Sequence, residues 1–222
     1  MRIQIRHTTE YEYSQPVLGA VQYLRLSPRS GPTQTVNRWR VACHGADLTE
    51  WTDQFGNICH TLVMARPREQ LSLEVVGEVK TIDRIVPLGL TALPPEVYLR
   101  ETSYTLPDPR LRKFAARFRG SLKEDRVAGL HELMMAINEE VAFTQGGTDV
   151  HTTAAEALAD GKGVCQDHAH ILITVCRILG IPARYVSGYL ASGTGDEVHG
   201  ASHAWAEALV PDLGWVSFDA AN

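Results

Sequence analysis

Residues 161–190 read GKGVCQDHAHILITVCRILGIPARYVSGYL. Gly161 and Gly163 form a flexible approach to Cys165, after which Leu172, Ile173, Cys176 and Leu179 recur at helical spacing. Gly180 and Pro182 end that helix, and residues 183–190 read as a strand. A cysteine at a helix start meets backbone N–H groups with no intrahelical partner, and these favour negative charge. A thiolate stabilised there is a nucleophile at neutral pH, and the same N–H groups suit an oxyanion. Lys162 adds positive charge nearby. Cys176, three turns along within the apolar stripe, reads as a packed structural thiol.

Working outward toward the C-terminus, residues 201–219 read ASHAWAEALVPDLGWVSFD. As a strand, this places His203, Trp205 and Glu207 on one face and Ala204, Ala206 and Ala208 on the other, suited to close packing against a helix. A three-residue loop, Pro211 to Leu213, pairs Val210 with Gly214. Asp219 then lies opposite Trp205 and diagonal to His203 on the same face, within side-chain reach. A two-residue loop would put Asp219 on the wrong face. Cys165, His203 and Asp219 are thus the candidate nucleophile, base and orienter, because a carboxylate on the second imidazole nitrogen fixes the tautomer and stabilises the imidazolium. Gln166, His168 and Trp205 are candidates for the substrate cleft, with a solvated helix face the alternative for His168.

Toward the N-terminus the helical pattern continues. Asp108 caps a helix with Pro109 at its first position, Leu111, Phe114, Ala115 and Phe118 as its stripe, and Gly120 at its end. A second helix runs over about 125–141, and Thr153 to Glu156 forms a capping box for a third. Before these, residues 86–107 are proline-rich and read as a linker. Residues 1–85 show period-two alternation, as in Ile3/Ile5, Trp39/Val41/Cys43 and Leu71/Leu73/Val75, with turn chemistry at Asp53 to Asn57. The expected architecture is α+β: an all-β, sandwich-like domain over 1–85, the linker over 86–107, and over 108–222 a core whose nucleophile-bearing helix packs on an antiparallel sheet.

The 222 residues carry a formal net charge of −5, with 44% hydrophobic and 21% charged residues. Nothing in that balance favours nucleic acid or an anionic membrane surface. No run approaches the ~20 apolar residues of a span, and the alternating start lacks a signal peptide's apolar stretch, so the expectation is a soluble, cytoplasmic chain. Four cysteines are too few for a disulfide framework at this length. Cys43-His44 and Cys59-His60 do not suggest zinc, since adjacent strand residues point to opposite faces. No metal or cofactor is expected.

Four motifs carry a family resemblance: Gly163-Val-Cys-Gln-Asp-His168, Gly180-Ile-Pro-Ala-Arg-Tyr-Val-Ser-Gly-Tyr189, Ser202-His-Ala-Trp205 and Gly214-Trp-Val-Ser-Phe-Asp219. With His7-Thr-Thr-Glu-Tyr-Glu-Tyr13 and Leu24-Arg-Leu-Ser-Pro-Arg29 in the β region, the chain resembles the bacterial transglutaminase-like proteins over nearly its whole length. The resemblance implies a papain-like core, with Cys165 matching the nucleophile, His203 the base and Asp219 the third triad member. Related cores carry out cross-linking, deamidation, peptide hydrolysis and amide cleavage. Animal transglutaminases place Trp directly after the nucleophile where this chain has Gln166, so the expectation leans to a cysteine peptidase or amidase acting on a peptide or protein. Protein-glutamine gamma-glutamyltransferase is the alternative in the same chemistry, and a catalytically silent peptide-binding module the alternative of another class. Such relatives usually run several dozen residues beyond the position of Asn222, so the core is expected to be C-terminally truncated.

Overall fold

Alternating burial organises the first 81 residues into six strands: β1 (Arg2–Val17), β2 (Ala20–Ser27), β3 (Gln34–Cys43), β4 (Asp47–Thr52), β5 (Ile58–Met64) and β6 (Arg68–Thr81). The computed structural model describes residues 1–82, 93–190 and 201–222. The strands form two antiparallel sheets, in the orders β1-β6-β3 and β2-β5-β4. Leu24, Leu62 and Met64 of one sheet meet Leu71 and Leu73 of the other, the packed interior of a small sandwich. The expected turn between β4 and β5 forms, with the Asp53 carboxylate accepting from the N–H groups of Phe55 and Asn57. Chain contacts divide the molecule into Met1–Val86 with Gly188–Ala201, and Pro87–Ser187 with Ser202–Asn222.

The second unit holds every α-helix described: α1 (Pro109–Ala116), α2 (Ser121–Glu124), α3 (Arg126–Glu140), α4 (Ala154–Asp160) and α5 (Cys165–Ile178). The Asp108 carboxylate caps α1 through the Leu111 N–H, and Asp125 caps α3 through Val127 and Ala128. Thr153 and Glu156 form the expected capping box on α4. Gly120 differs from the sequence reading. It has right-handed helical angles as the N-cap of α2, and α1 already ends at Ala116.

Short strands β7 (Ala142–Phe143) and β8 (Lys162–Gly163) pair in parallel, and two residues are too few to show any periodicity in sequence. The antiparallel sheet is β11-β10-β9, with β9 Ala183–Leu190, β10 Ala201–Val210 and β11 Gly214–Phe218. Ala206, Ala208 and Phe218 join Ile171, Leu172 and Val175 of α5 and Leu130, Leu133 and Ile137 of α3 in one core. Small alanines let the helix layer approach the strand closely, which is what the three-alanine face required. Fold and class are as the sequence led one to expect: α+β, a β sandwich followed by a helix-on-antiparallel-sheet core.

Residues 93–107, the end of the expected linker, are packed structure. They form 3-10 turns at Pro95–Leu99 and Ser103–Thr105. Tyr98 is buried edge-on against Trp215, with ring centroids 4.8 Å apart. The Arg177 guanidinium donates to the Tyr98 carbonyl (3.0 Å), the Thr105 hydroxyl (2.7 Å) and the Ala183 carbonyl (3.1 Å), tying these turns to α5 and β9. Proline blocks a ladder, but a 3-10 turn needs none. No helix among the described residues is long and apolar enough to cross a membrane.

Candidate active site

The turn that presents Cys165 is built from small residues and one carboxylate. Gly161, at φ +63°, closes α4 in the left-handed region that glycine reaches without strain. Gly163 then pairs with Phe143, and its carbonyl accepts from Thr144 N–H at 2.8 Å. Cys165 is the first residue of α5 and is half-buried. Among the described residues no acceptor is assigned to the backbone N–H of Cys165 or Gln166, as a helix start leaves them. Two residues on, Asp167 is 0% exposed, and its Oδ2 accepts from Val164 N–H (2.7 Å) and the Thr148 hydroxyl (2.6 Å).

His203 and Asp219 meet as the hairpin register demands. Val210 pairs with Gly214 and Ala206 with Phe218, so the odd-length loop forms and Asp219 lies just past the end of β11. His203 Nε2 and Asp219 Oδ2 are 2.7 Å apart, with the two side chains 9% and 30% exposed. The Asn222 amide donates to the same Asp219 oxygen at 2.7 Å and lies 3.3 Å from His203 Nε2. Ala221 N–H donates to Asp219 Oδ1 at 3.2 Å. With Nε2 engaged by the carboxylate, Nδ1 is the ring nitrogen left for another proton partner. Trp205 is half-buried and lies nearly parallel to the His203 ring, 6.1 Å between centroids.

Among the sequence candidates, the structure joins His203 to Asp219 and sets Trp205 beside them. Cys165 lies in the same unit, and among the described residues no hydrogen bond joins it to His203. Gln166 points its amide at the Val150 carbonyl, 3.5 Å away. His168 is a correction. It neither lines a cleft nor faces solvent: it is 1% exposed, with Nδ1 2.8 Å from the Val164 carbonyl and Nε2 2.8 Å from the Val141 carbonyl. Residues 167–176 of α5 are all buried, so a helix enclosed on every side offers no solvated face. Cys176 is fully buried, which pushes its thiol up to about 12.

Sequence reasoning did not single out Asn222, Thr148 or Tyr185. Tyr185 is partly exposed on β9. Burial pushes its phenol up to about 12, and the charges of Cys165 and Asp167 add to the shift. Its ring packs on His170 of α5, which stacks in turn on Tyr104, each pair 5.3 Å between centroids. Desolvation holds His170 down at about 4. The Arg184 to Glu207 ion pair (2.6 Å), with the Arg184 guanidinium 4.3 Å above the Trp215 ring, braces the sheet below His203. A tyrosine in a strand carries no sequence signal that it will stand near a thiol.

The second unit thus carries a helix-start cysteine and a His–Asp pair on an antiparallel hairpin, within an α+β arrangement of helices on a sheet. Residues 112–220 match the family described as the transglutaminase-like superfamily, and residues 3–80 match the bacterial transglutaminase-like N-terminal region. The chain belongs to the transglutaminase-like superfamily. It is 31% identical over 236 residues to an uncharacterised protein of Mycobacterium leprae, covering 100% of this chain and 83% of that one. It is 28% identical over 254 residues to an uncharacterised protein of Mycobacterium tuberculosis, covering 100% and 79%. Its fold is that of a candidate cysteine protease of Cytophaga hutchinsonii, with TM-score 0.78 and 22% identity over 99% of this chain and 76% of that one.

Proposed function

We propose that the chain is a thiol-dependent acyl-transfer enzyme acting on amide bonds, with Cys165 as nucleophile, His203 as base and Asp219 as the residue that orients the imidazole. The observation that carries the reading is the 2.7 Å bond between His203 Nε2 and Asp219 Oδ2, which leaves Nδ1 for the thiol. In the proposed cycle His203 Nδ1 takes the Cys165 proton as sulfur attacks the amide carbonyl. The oxyanion is held by the unpaired N–H groups at the start of α5. As the C–N bond breaks, the imidazolium returns the proton to the leaving amine, and a thioester remains. Water, deprotonated by His203, then releases the acid and restores the thiol. Catalytic hydrogen bonds are often long before substrate binds and tighten in the complex. Trp205 shields one face of the imidazole, and Gln166 borders the thiol as a candidate substrate contact. Hydrolysis of a peptide or protein amide is the proposed outcome; an amine in place of water would give transfer.

The test is a peptide library incubated near neutral pH, with and without a primary amine, and read by mass. Cleavage, loss of ammonia and amine incorporation have separate signatures. Cys165→Ala is expected to abolish the covalent acyl adduct, and Asp219→Asn to lower turnover by ~10²–10⁴. Undiminished turnover in Cys165→Ala would overturn the reading.

A further inference from the structure

The carboxylate of Asp167 is buried beside the nucleophile, and the cycle above gives it no part. Both of its hydrogen bonds fall on one oxygen: Oδ2 accepts from Val164 N–H at 2.7 Å and from Thr148 Oγ1 at 2.6 Å. Among the described residues Oδ1 is buried with no partner. Gly163 is packed so closely that a Cβ there would lie 2.7 Å from the Asp167 Cβ. The same loop is tied to the turn twice more, through Thr144 N–H to the Gly163 carbonyl (2.8 Å) and Gln166 Nε2 to the Val150 carbonyl (3.5 Å).

As a device for stability alone the arrangement is unfavourable, because a cap on one backbone N–H stabilises less than burying a carboxylate with one oxygen unsatisfied destabilises. What the arrangement secures is geometry. The residue directly before Cys165 is pinned by its N–H to a side chain two residues after Cys165, and that side chain is pinned to the 144–152 loop. The nucleophile's backbone is therefore held from both sides.

Resting on the reading of Cys165 as nucleophile, we propose that Asp167, braced by Thr148, is a positioning residue: it fixes the Gly163 to Cys165 turn so that the thiol and the N–H groups at the start of α5 face one and the same carbonyl. Because Oδ2 alone does the work, Asp167→Asn can keep both bonds through its amide oxygen. Asp167→Ala loses both, and Thr148→Val loses one.

The test compares two probes on the full chain. p-Nitrophenyl acetate acylates the thiol through a tetrahedral oxyanion and needs thiol and N–H groups aligned. Iodoacetamide alkylates the thiol by direct displacement and forms no oxyanion. Urea midpoints for each variant control for folding. The expected result is an acylation rate about tenfold lower in Thr148→Val, about a hundredfold lower in Asp167→Ala, and within about threefold of the parent in Asp167→Asn. Alkylation of Cys165 is expected to fall by much less than acylation in each variant. Equal losses with both probes, in step with the unfolded fraction, would reduce Asp167 to a structural role and overturn the proposal. Unchanged acylation in Thr148→Val together with Asp167→Ala would overturn it too. If Asp167→Ala does not fold, Thr148→Val and Asp167→Asn still decide. An acetyl adduct in Cys165→Ala, or a parent chain that alkylates at Cys165 but forms no adduct, would instead sink the acyl-transfer reading and this inference with it.

Discussion

His170 should make the second unit lose stability as the solution turns mildly acidic, and the size of the loss can be worked out in advance. The imidazole is 9% exposed, lies between the rings of Tyr104 and Tyr185, and has a buried Nδ1 with no partner among the described residues. Desolvation lowers its pKa from 6.5 to about 4; the Asp167 charge opposes that shift and Arg177 adds to it. A lowered imidazole pKa means that the unfolded chain takes up a proton which the folded chain refuses. Stability from this group is therefore level above about pH 6.5, falls as pH drops toward 4, and is level again below. Between pH 7 and pH 5 the share of this one group comes to about 2 kcal/mol, and over the full window to about 3 kcal/mol. His170→Phe keeps an aromatic ring in the stack and removes the titration. All described helices lie in the second unit, so urea unfolding followed by ellipticity at 222 nm reports its stability. The difference in unfolding free energy between variant and parent should shift by about 2 kcal/mol in the variant's favour from pH 7 to pH 5. Curves that stay parallel to within about 0.5 kcal/mol would refute the buried neutral imidazole.

Two further outcomes follow from the same unit. Iodoacetamide should label Cys165 well before Cys176 in the folded chain, because Cys176 is fully buried with its thiol pushed up to about 12; peptide mapping that finds the two labelled at the same rate would argue against it. Arg177→Gln should destabilise the helical unit by about 3 kcal/mol, since it strips donors from the Tyr98 and Ala183 carbonyls and the Thr105 hydroxyl. Arg177→Lys should recover little of that, a single ammonium being unable to span three acceptors; an unchanged urea midpoint in Arg177→Gln would show that the 93–107 segment is held by other means.

How far the sequence could be read depended on whether a rule local to the chain governed the feature. Cys165 at a helix start followed from glycines before and a glycine and proline after, signals that act within a few residues. The His203–Asp219 pairing followed from parity, because an odd loop between period-two strands leaves both side chains on one face. Thr148 and Asp167 are 19 residues apart and meet only because β7 and β8 pair, and no spacing encodes that. The packing of 93–107 is illegible for a different reason: proline forbids a ladder, and packed 3-10 turns leave no periodic trace.

On α5 the structure overturns the reading of His168. An apolar stripe is visible in the sequence, and His168, off it, is a candidate for the cleft or for solvent. In the structure, Asp167, His168, His170 and Thr174 are buried with the stripe. His168 faces two carbonyls and Thr174 donates to the His170 carbonyl, so these two are held by the backbone. Among the described residues, the unpartnered buried side-chain atoms of α5, Asp167 Oδ1 and His170 Nδ1, belong to residues within five positions of Cys165. A helix selected only for packing would carry apolar residues at both positions, since each orphaned atom costs on the order of 1–3 kcal/mol. Local rules of patterning are broken where a site must be held in a particular shape, and that cost is tolerated because the remaining core is large enough to carry it. The end of α5 that breaks the rules is the end that presents the thiol.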